Sequence, residues 1–121
     1  MDEVISPETI PHGKHIIVKI SHYDPNLGGT NCASWYDDYC HSKMSNGERW
    51  EDYIEKNDTI ACPKELPFGT IIWIEGNNYV CRDRGGAITI TPEGYYWIDI
   101  LANKVSYKYG ETREAILVHW K

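Results

Sequence analysis

Short β-branched and aromatic runs, each stopped by glycine, proline or asparagine, recur along this chain from His15 onward. Such punctuation leaves strands as the main way to bury a core. The densest signal is Thr70-Ile71-Ile72-Trp73-Ile74, a nearly continuous apolar run of the kind buried on both faces. Gly76-Asn77-Asn78 predicts a hairpin turn, because Gly and Asn tolerate positive φ, and Tyr79 to Asp83 returns as the next strand. His15 to Tyr23, Thr59 to Cys62, Tyr95 to Leu101 and Ala115 to Trp120 read as further strands. The expectation is a mainly β domain, a small six-stranded barrel. One or two short helices accompany it: Glu48 to Lys56, with Trp50, Tyr53 and Ile54 on one face, and a helical turn over 103–110 ended by Gly110.

At 121 residues the chain is long enough for one core and not for two. Residues 1–14, with two prolines and a glycine and no periodicity, read as an N-terminal extension, a tail or arm that docks onto a larger assembly. Residues 15–121 form the domain. The polar, cysteine-bearing stretch from Asn31 to Gly47 is a loop long enough to have a task.

Nine Tyr and five Trp against one Phe suit a groove for something flat and hydroxylated, such as a sugar, as well as a β-rich core. The formal charge of −6, with no Lys/Arg cluster, argues against nucleic acid as a partner. No apolar stretch approaches the roughly 20 residues that span a bilayer. Met1 to Pro7 has neither the basic nor the apolar part of a signal peptide, which points to delivery by another route or to a leader already removed.

Cys32, Cys40, Cys62 and Cys81 contain no C-x-x-C pair, which argues against structural zinc. Two disulfides are favoured, Cys32 with Cys40 and Cys62 with Cys81, free buried thiols being the alternative. Disulfides imply an oxidising place of work. His22, His41 and His119 have no ligand spacing and read as structural or surface residues, and Asp37 and Asp38 as solvated charge. No metal or cofactor is expected.

The chemistry concentrates in Cys81-Arg82-Asp83-Arg84-Gly85-Gly86-Ala87-Ile88 and Trp97-Ile98-Asp99-Ile100-Leu101. One carboxylate sits beside two glycines and a second lies inside an apolar run. Desolvation there raises a carboxyl pKa and holds the group protonated near neutrality. A neutral acid beside an ionised partner is an arrangement that breaks glycosidic bonds. Gly85 and Gly86 either let backbone approach a glycan or serve a turn at positive φ. Arg82 and Arg84 are expected on the opposite face of the strand, solvated.

Read in order, Ile60 to Thr70, Asp83 to Ile88 and Ile98-Asp99-Ile100 resemble the three-aspartate domain. That domain is the double-psi β-barrel of membrane-bound lytic transglycosylase A and of spore and stationary-phase wall enzymes. Ala33-Ser34-Trp35-Tyr36, Asn46-Gly47-Glu48-Arg49 and Leu66 to Thr70 also resemble the rare lipoprotein A and expansin branch of that barrel. The resemblance spans roughly residues 16–120. It implies action at the cell wall, extracytoplasmic or virion-delivered and in a phage-encoded setting, on peptidoglycan glycan strands. The bond between N-acetylmuramic acid and N-acetylglucosamine would be cut without water, leaving an anhydro-sugar end.

Carried over by position, Asp99 is the catalytic acid and then base, and Asp83 the family's second aspartate, which stabilises positive charge or orients Asp99. Tyr23 and Asp24 fall where the first strand feeds the groove; an Asp-Pro turn is the alternative for Asp24. Two positions depart from the pattern. Cys62 stands where the first aspartate is expected, and Glu51 where a basic residue often lies. A Cys62–Cys81 disulfide would brace the site in place of that aspartate. The alternatives are a non-catalytic glycan-binding or wall-loosening module like an expansin, and a hydrolytic endoglucanase-like enzyme.

Overall fold

The computed structural model describes residues 10–119. Six strands close a mixed barrel: β1 (Lys14–Tyr23), β4 (Thr59–Ala61), β5 (Ile71–Ile74), β6 (Asn77–Asp83), β7 (Tyr96–Leu101) and β8 (Glu111–His119). A separate two-stranded hairpin, β2 (Trp35–Tyr36) with β3 (Tyr39–Cys40), lies in the predicted loop. The barrel order is β1-β7-β4-β6-β5-β8, with β1/β7 and β4/β6 parallel and the other pairs antiparallel.

This ring has an internal symmetry. Exchanging β1 with β6, β4 with β7 and β5 with β8 maps β1/β7 onto β6/β4 and β1/β8 onto β6/β5, each with the same sense, and maps β4/β7 and β5/β8 onto themselves. Two similar halves therefore interlock, each parallel pair containing one strand from each half. This topology is compatible with a double-psi barrel. Tyr23 and Asp83 end the two equivalent strands β1 and β6, which explains why residues 60 apart in sequence come together.

Closure explains the burial pattern. Ile16, Val18 and Ile20 of β1 point into the barrel while Ile17 between them is exposed, the period of two that a one-sided strand requires. The apolar run Ile71–Ile74 also alternates, contrary to the two-sided burial its composition predicts. Ile72 and Ile74 are fully buried, whereas Ile71 and Trp73 are half-buried on the barrel's outer surface. No helix covers that surface among the described residues, so an apolar outer face is only partly shielded.

The hairpin turn lies one residue earlier than predicted. Glu75 (φ 50°) and Gly76 (φ 94°) form it, and Asn77 already pairs with Ile74. Two consecutive residues at positive φ match the right-handed twist of tightly joined strands. The segment Glu48–Lys56 buries Trp50 and Ile54 as predicted, but as two 3-10 turns, Trp50–Asp52 and Ile54–Lys56. Residues 103–110 form no helix. Their amides go to the barrel instead: Gly110 donates to the Ile20 carbonyl (2.8 Å) and Ser106 to His22 Nε2 (3.1 Å).

A second cluster (Cys40, Met44, Trp50, Ile54 and Leu101) seats the 24–58 excursion on the outside of β7. Both disulfides pair as expected, Cys32 with Cys40 and Cys62 with Cys81, at Cα separations of 5.9 and 5.7 Å. Of the 1–14 extension, residues 1–9 lie outside the described residues, and Lys14 already pairs with Leu117 in the barrel.

Candidate active site

Where β1 and β7 run parallel, Ser21 stands in register with Asp99, and where β4 meets β7, Ala61 faces Asp99. Ala61 also pairs with Asp83 across a bulge. One small residue thus lies between the two carboxylate-bearing strands, leaving room above it. That room is a cleft of about 610 Å³ walled by the ends of β1, β6 and β7 and by the 31–45 and 84–88 loops. Tyr23, Asp83, Gly85, Gly86 and Asp99 all line it.

The two carboxyls have different surroundings. Asp83 accepts three hydrogen bonds. Tyr23 Oη–H donates to Oδ2 at 2.7 Å, and the amides of Ser45 and Arg84 each donate to Oδ1 at 2.8 Å. Such a set of donors stabilises an anion. Among the described residues Asp99 has one hydrogen-bonding partner, Ser21 Oγ–H, donating to Oδ1 at 2.9 Å. The Trp97 indole N–H in turn donates to Ser21 Oγ at 2.9 Å. Burial raises the Asp99 pKa to about 6, the Asp83 charge adds to the rise, and the Ser21 bond works against it. Tyr23 is pushed well upward by burial and by Asp83, which keeps its phenol protonated as a donor.

Arg82 and Arg84 are not solvated, as their place on the strand suggested. Arg84 folds back over the Cys62–Cys81 disulfide. Its Nη1 lies 2.8 Å from Cys62 Sγ and 3.0 Å from Cys81 Sγ, Nη2 donates to the Leu66 carbonyl at 2.7 Å, and the guanidinium covers the Phe68 ring at 4.1 Å. Arg82 pairs with Asp58 at 3.0 Å and stacks over Tyr53 at 4.2 Å. Both arginines tie β6 to neighbouring segments and so hold Asp83 between two fixed positions. The disulfide itself is adjacent to Asp83, since the Cys62 amide donates to the Asp83 carbonyl at 3.2 Å.

Asp24 and Glu51 do not line the cleft. The Asp24 carboxylate accepts from the Asn26 amide at 2.9 Å and caps the Pro25–Leu27 turn, the local use an Asp-Pro pair favours. Glu51 accepts from Tyr39 Oη–H at 2.8 Å and pairs with Arg49 at 3.6 Å beside the hairpin. Neither Gly85 nor Gly86 has a positive φ, so the turn explanation does not apply to them. A Cβ on Gly85 would meet Ile88 Cγ1 at 2.9 Å, whereas one on Gly86 would meet nothing within 4 Å. Gly85 thus serves close packing, and Gly86 keeps the cleft wall bare.

Ser21, Ser45 and His22 also belong to the cleft wall and were not legible as site residues. For Ser21 there was a signal: the lone small polar side chain in a strand of β-branched, aromatic and lysine residues, 6% exposed in the fold. Ser45 acts through its backbone, which side-chain patterns do not report. His22 Nε2 accepts from the Ser106 amide, and burial lowers its pKa, so it acts as a neutral acceptor that ties down the 103–110 loop. Among the described residues no group of three His, Cys, Asp or Glu side chains is arranged to hold a metal ion. No helix of the described residues is long and apolar enough to cross a membrane. No protein-family model matches the chain, and no curated protein matches its sequence.

Proposed function

We propose that this domain cleaves peptidoglycan glycan strands as a lytic transglycosylase, with Asp99 as the acid and then the base. The observation that carries the reading is the inequality of the two carboxyls in one cleft: Asp99 half-protonated near pH 6, Asp83 wrapped by three donors. Protonated Asp99 gives its proton to the glycosidic oxygen as the C1–O bond breaks. Asp83 stabilises the positive charge that develops at C1. The sugar's own 6-hydroxyl then attacks C1 and returns its proton to Asp99, which closes the anhydro ring and restores the acid. With both oxygens already engaged, Asp83 is a poor nucleophile and a poor activator of water. That favours a single acid/base over the two-carboxylate hydrolysis of an endoglucanase.

A non-catalytic, expansin-like glycan-binding module is the second reading, favoured by Cys62 occupying the place of an aspartate within a disulfide. Incubation with purified sacculi, followed by mass analysis of released fragments, separates the readings. Anhydro-sugar ends from the wild type and none from Asp99→Asn are expected. Reducing ends would indicate hydrolysis, and retention on sacculi without release would indicate a binding module. Equal release by wild type and variant would remove Asp99 from the chemistry.

A further inference from the structure

The Ser21 hydroxyl carries one proton and has two acceptors near it, Asp99 Oδ1 at 2.9 Å and the Ile98 carbonyl at 3.5 Å. The Trp97 indole N–H can only donate, and it points at the same Ser21 oxygen from 2.9 Å. That contact occupies a lone pair of Oγ and fixes the hydroxyl rotor, so the Ser21 proton is directed to the nearer acceptor. The geometry is set by the barrel. β1 and β7 are parallel and in register at Ser21 and Asp99, and Trp97 precedes Asp99 by two residues on the same face of β7.

The indole is itself held in place. Lys19 Nζ lies 4.9 Å from the Trp97 ring centroid, and Tyr109 meets the ring edge-on at 5.7 Å. Neither contact uses the indole N–H, which remains committed to Ser21. We infer that Trp97 and Ser21 form a positioning relay for Asp99, reserving Oδ1 as an acceptor so that the acidic proton of Asp99 is carried on Oδ2. The inference rests on the acid/base role proposed above for its meaning in catalysis, and not for its existence.

The relay acts on the ionised form more than on the neutral one, because a carboxylate oxygen accepts more strongly than a carboxylic acid. It therefore counters the upward push of burial and of Asp83, and keeps Asp99 able to take a proton back as well as give one. Without it, Asp99 would stay protonated to higher pH and would be a weaker donor.

The test is a carbon-13 carboxyl titration of Asp99 in the free 121-residue chain, with Ser21→Ala, Ser21→Thr and Trp97→Phe beside the wild type. Ser21→Ala is expected to raise the Asp99 midpoint by about one pH unit. Trp97→Phe, which frees the hydroxyl to turn toward Ile98, raises it by less, and Ser21→Thr keeps it near the wild-type value. An unchanged midpoint in Ser21→Ala overturns the relay, as does an equal shift in Ser21→Thr. No glycan is present, so the titration is independent of cleavage. A shifted midpoint in a protein that releases nothing from sacculi would keep the relay and discard the glycan chemistry. Cleavage with an unmoved midpoint would do the reverse. In an active enzyme the alkaline limb of kcat/KM moves upward in Ser21→Ala by the same interval as the midpoint.

Discussion

Asp99 sits where the protein is destabilised by having it ionised. Its folded pKa, about 6, lies above the value near 3.9 expected in an unfolded chain. Between these values the folded state holds more protons, so stability falls as pH rises through that window and stays reduced above it. After allowance for partial exposure, the loss is on the order of 2 kcal/mol. Asp99→Asn is neutral at every pH. It is expected to match the wild type in denaturant melts near pH 4 and to exceed it by about 2 kcal/mol above pH 7. An offset of the same size at both pH values would refute the burial argument. The same substitution lowers any cleavage by a factor on the order of 10²–10⁴, the usual weight of a general acid. Gain in stability with loss of activity is the signature of a strained functional group, and a structural carboxylate would show neither.

Among the elements, β6 does the most to set the site. Its last residue is Asp83, its two flanking arginines are anchored on either side, and Cys81 ties it to the end of β4. The Cys62–Cys81 bond closes a loop of 19 residues that contains β5 and its turns. Chain-entropy reasoning assigns such a link about 3 kcal/mol. The double variant Cys62→Ala/Cys81→Ala is therefore expected to lose about that much in urea melts. It also removes the surface on which Arg84 rests, so amide exchange should quicken across 64–70 and 84–88 before the rest of the barrel. Uniform quickening along the chain would show that the bond supports the barrel as a whole and not this corner. The 24–58 excursion packs outside the barrel core with its own small cluster. It rests on Leu101 through Trp50 and Ile54 and on Arg82 through Asp58 and Tyr53, and its Ser45 amide reaches the Asp83 carboxylate.

For the whole molecule, closure is the controlling fact. β8 is the neighbour of both β1 and β5, so its removal leaves two open edges and exposes Ala115, Ile116 and Leu117 contacts to water. A chain ending at Gly110 is expected to show no cooperative thermal transition in near-ultraviolet circular dichroism, and a retained sharp melt would contradict a single closed core. Much of this architecture was legible in order along the chain. The β-branched runs located all six barrel strands to within a few residues, the turn residues marked their ends, and the cysteine spacings suited the two bonds that form. The hairpin at Trp35 to Cys40 was not legible, because its two-residue strands carry no period. The helical expectations failed where backbone amides found partners on the barrel, as at Ser106 and Gly110. By itself, the sequence determined which residues alternate, and that two carboxylates of unlike surroundings exist, because period and composition are local properties of the chain. Only the tertiary structure decided that Asp83 and Asp99 share a cleft, that Ser21 and Trp97 attend one of them, and that Asp24 and Glu51 stand apart. Strand order around a closed barrel brings together residues tens of positions apart, and no local pattern encodes which strand will be whose neighbour.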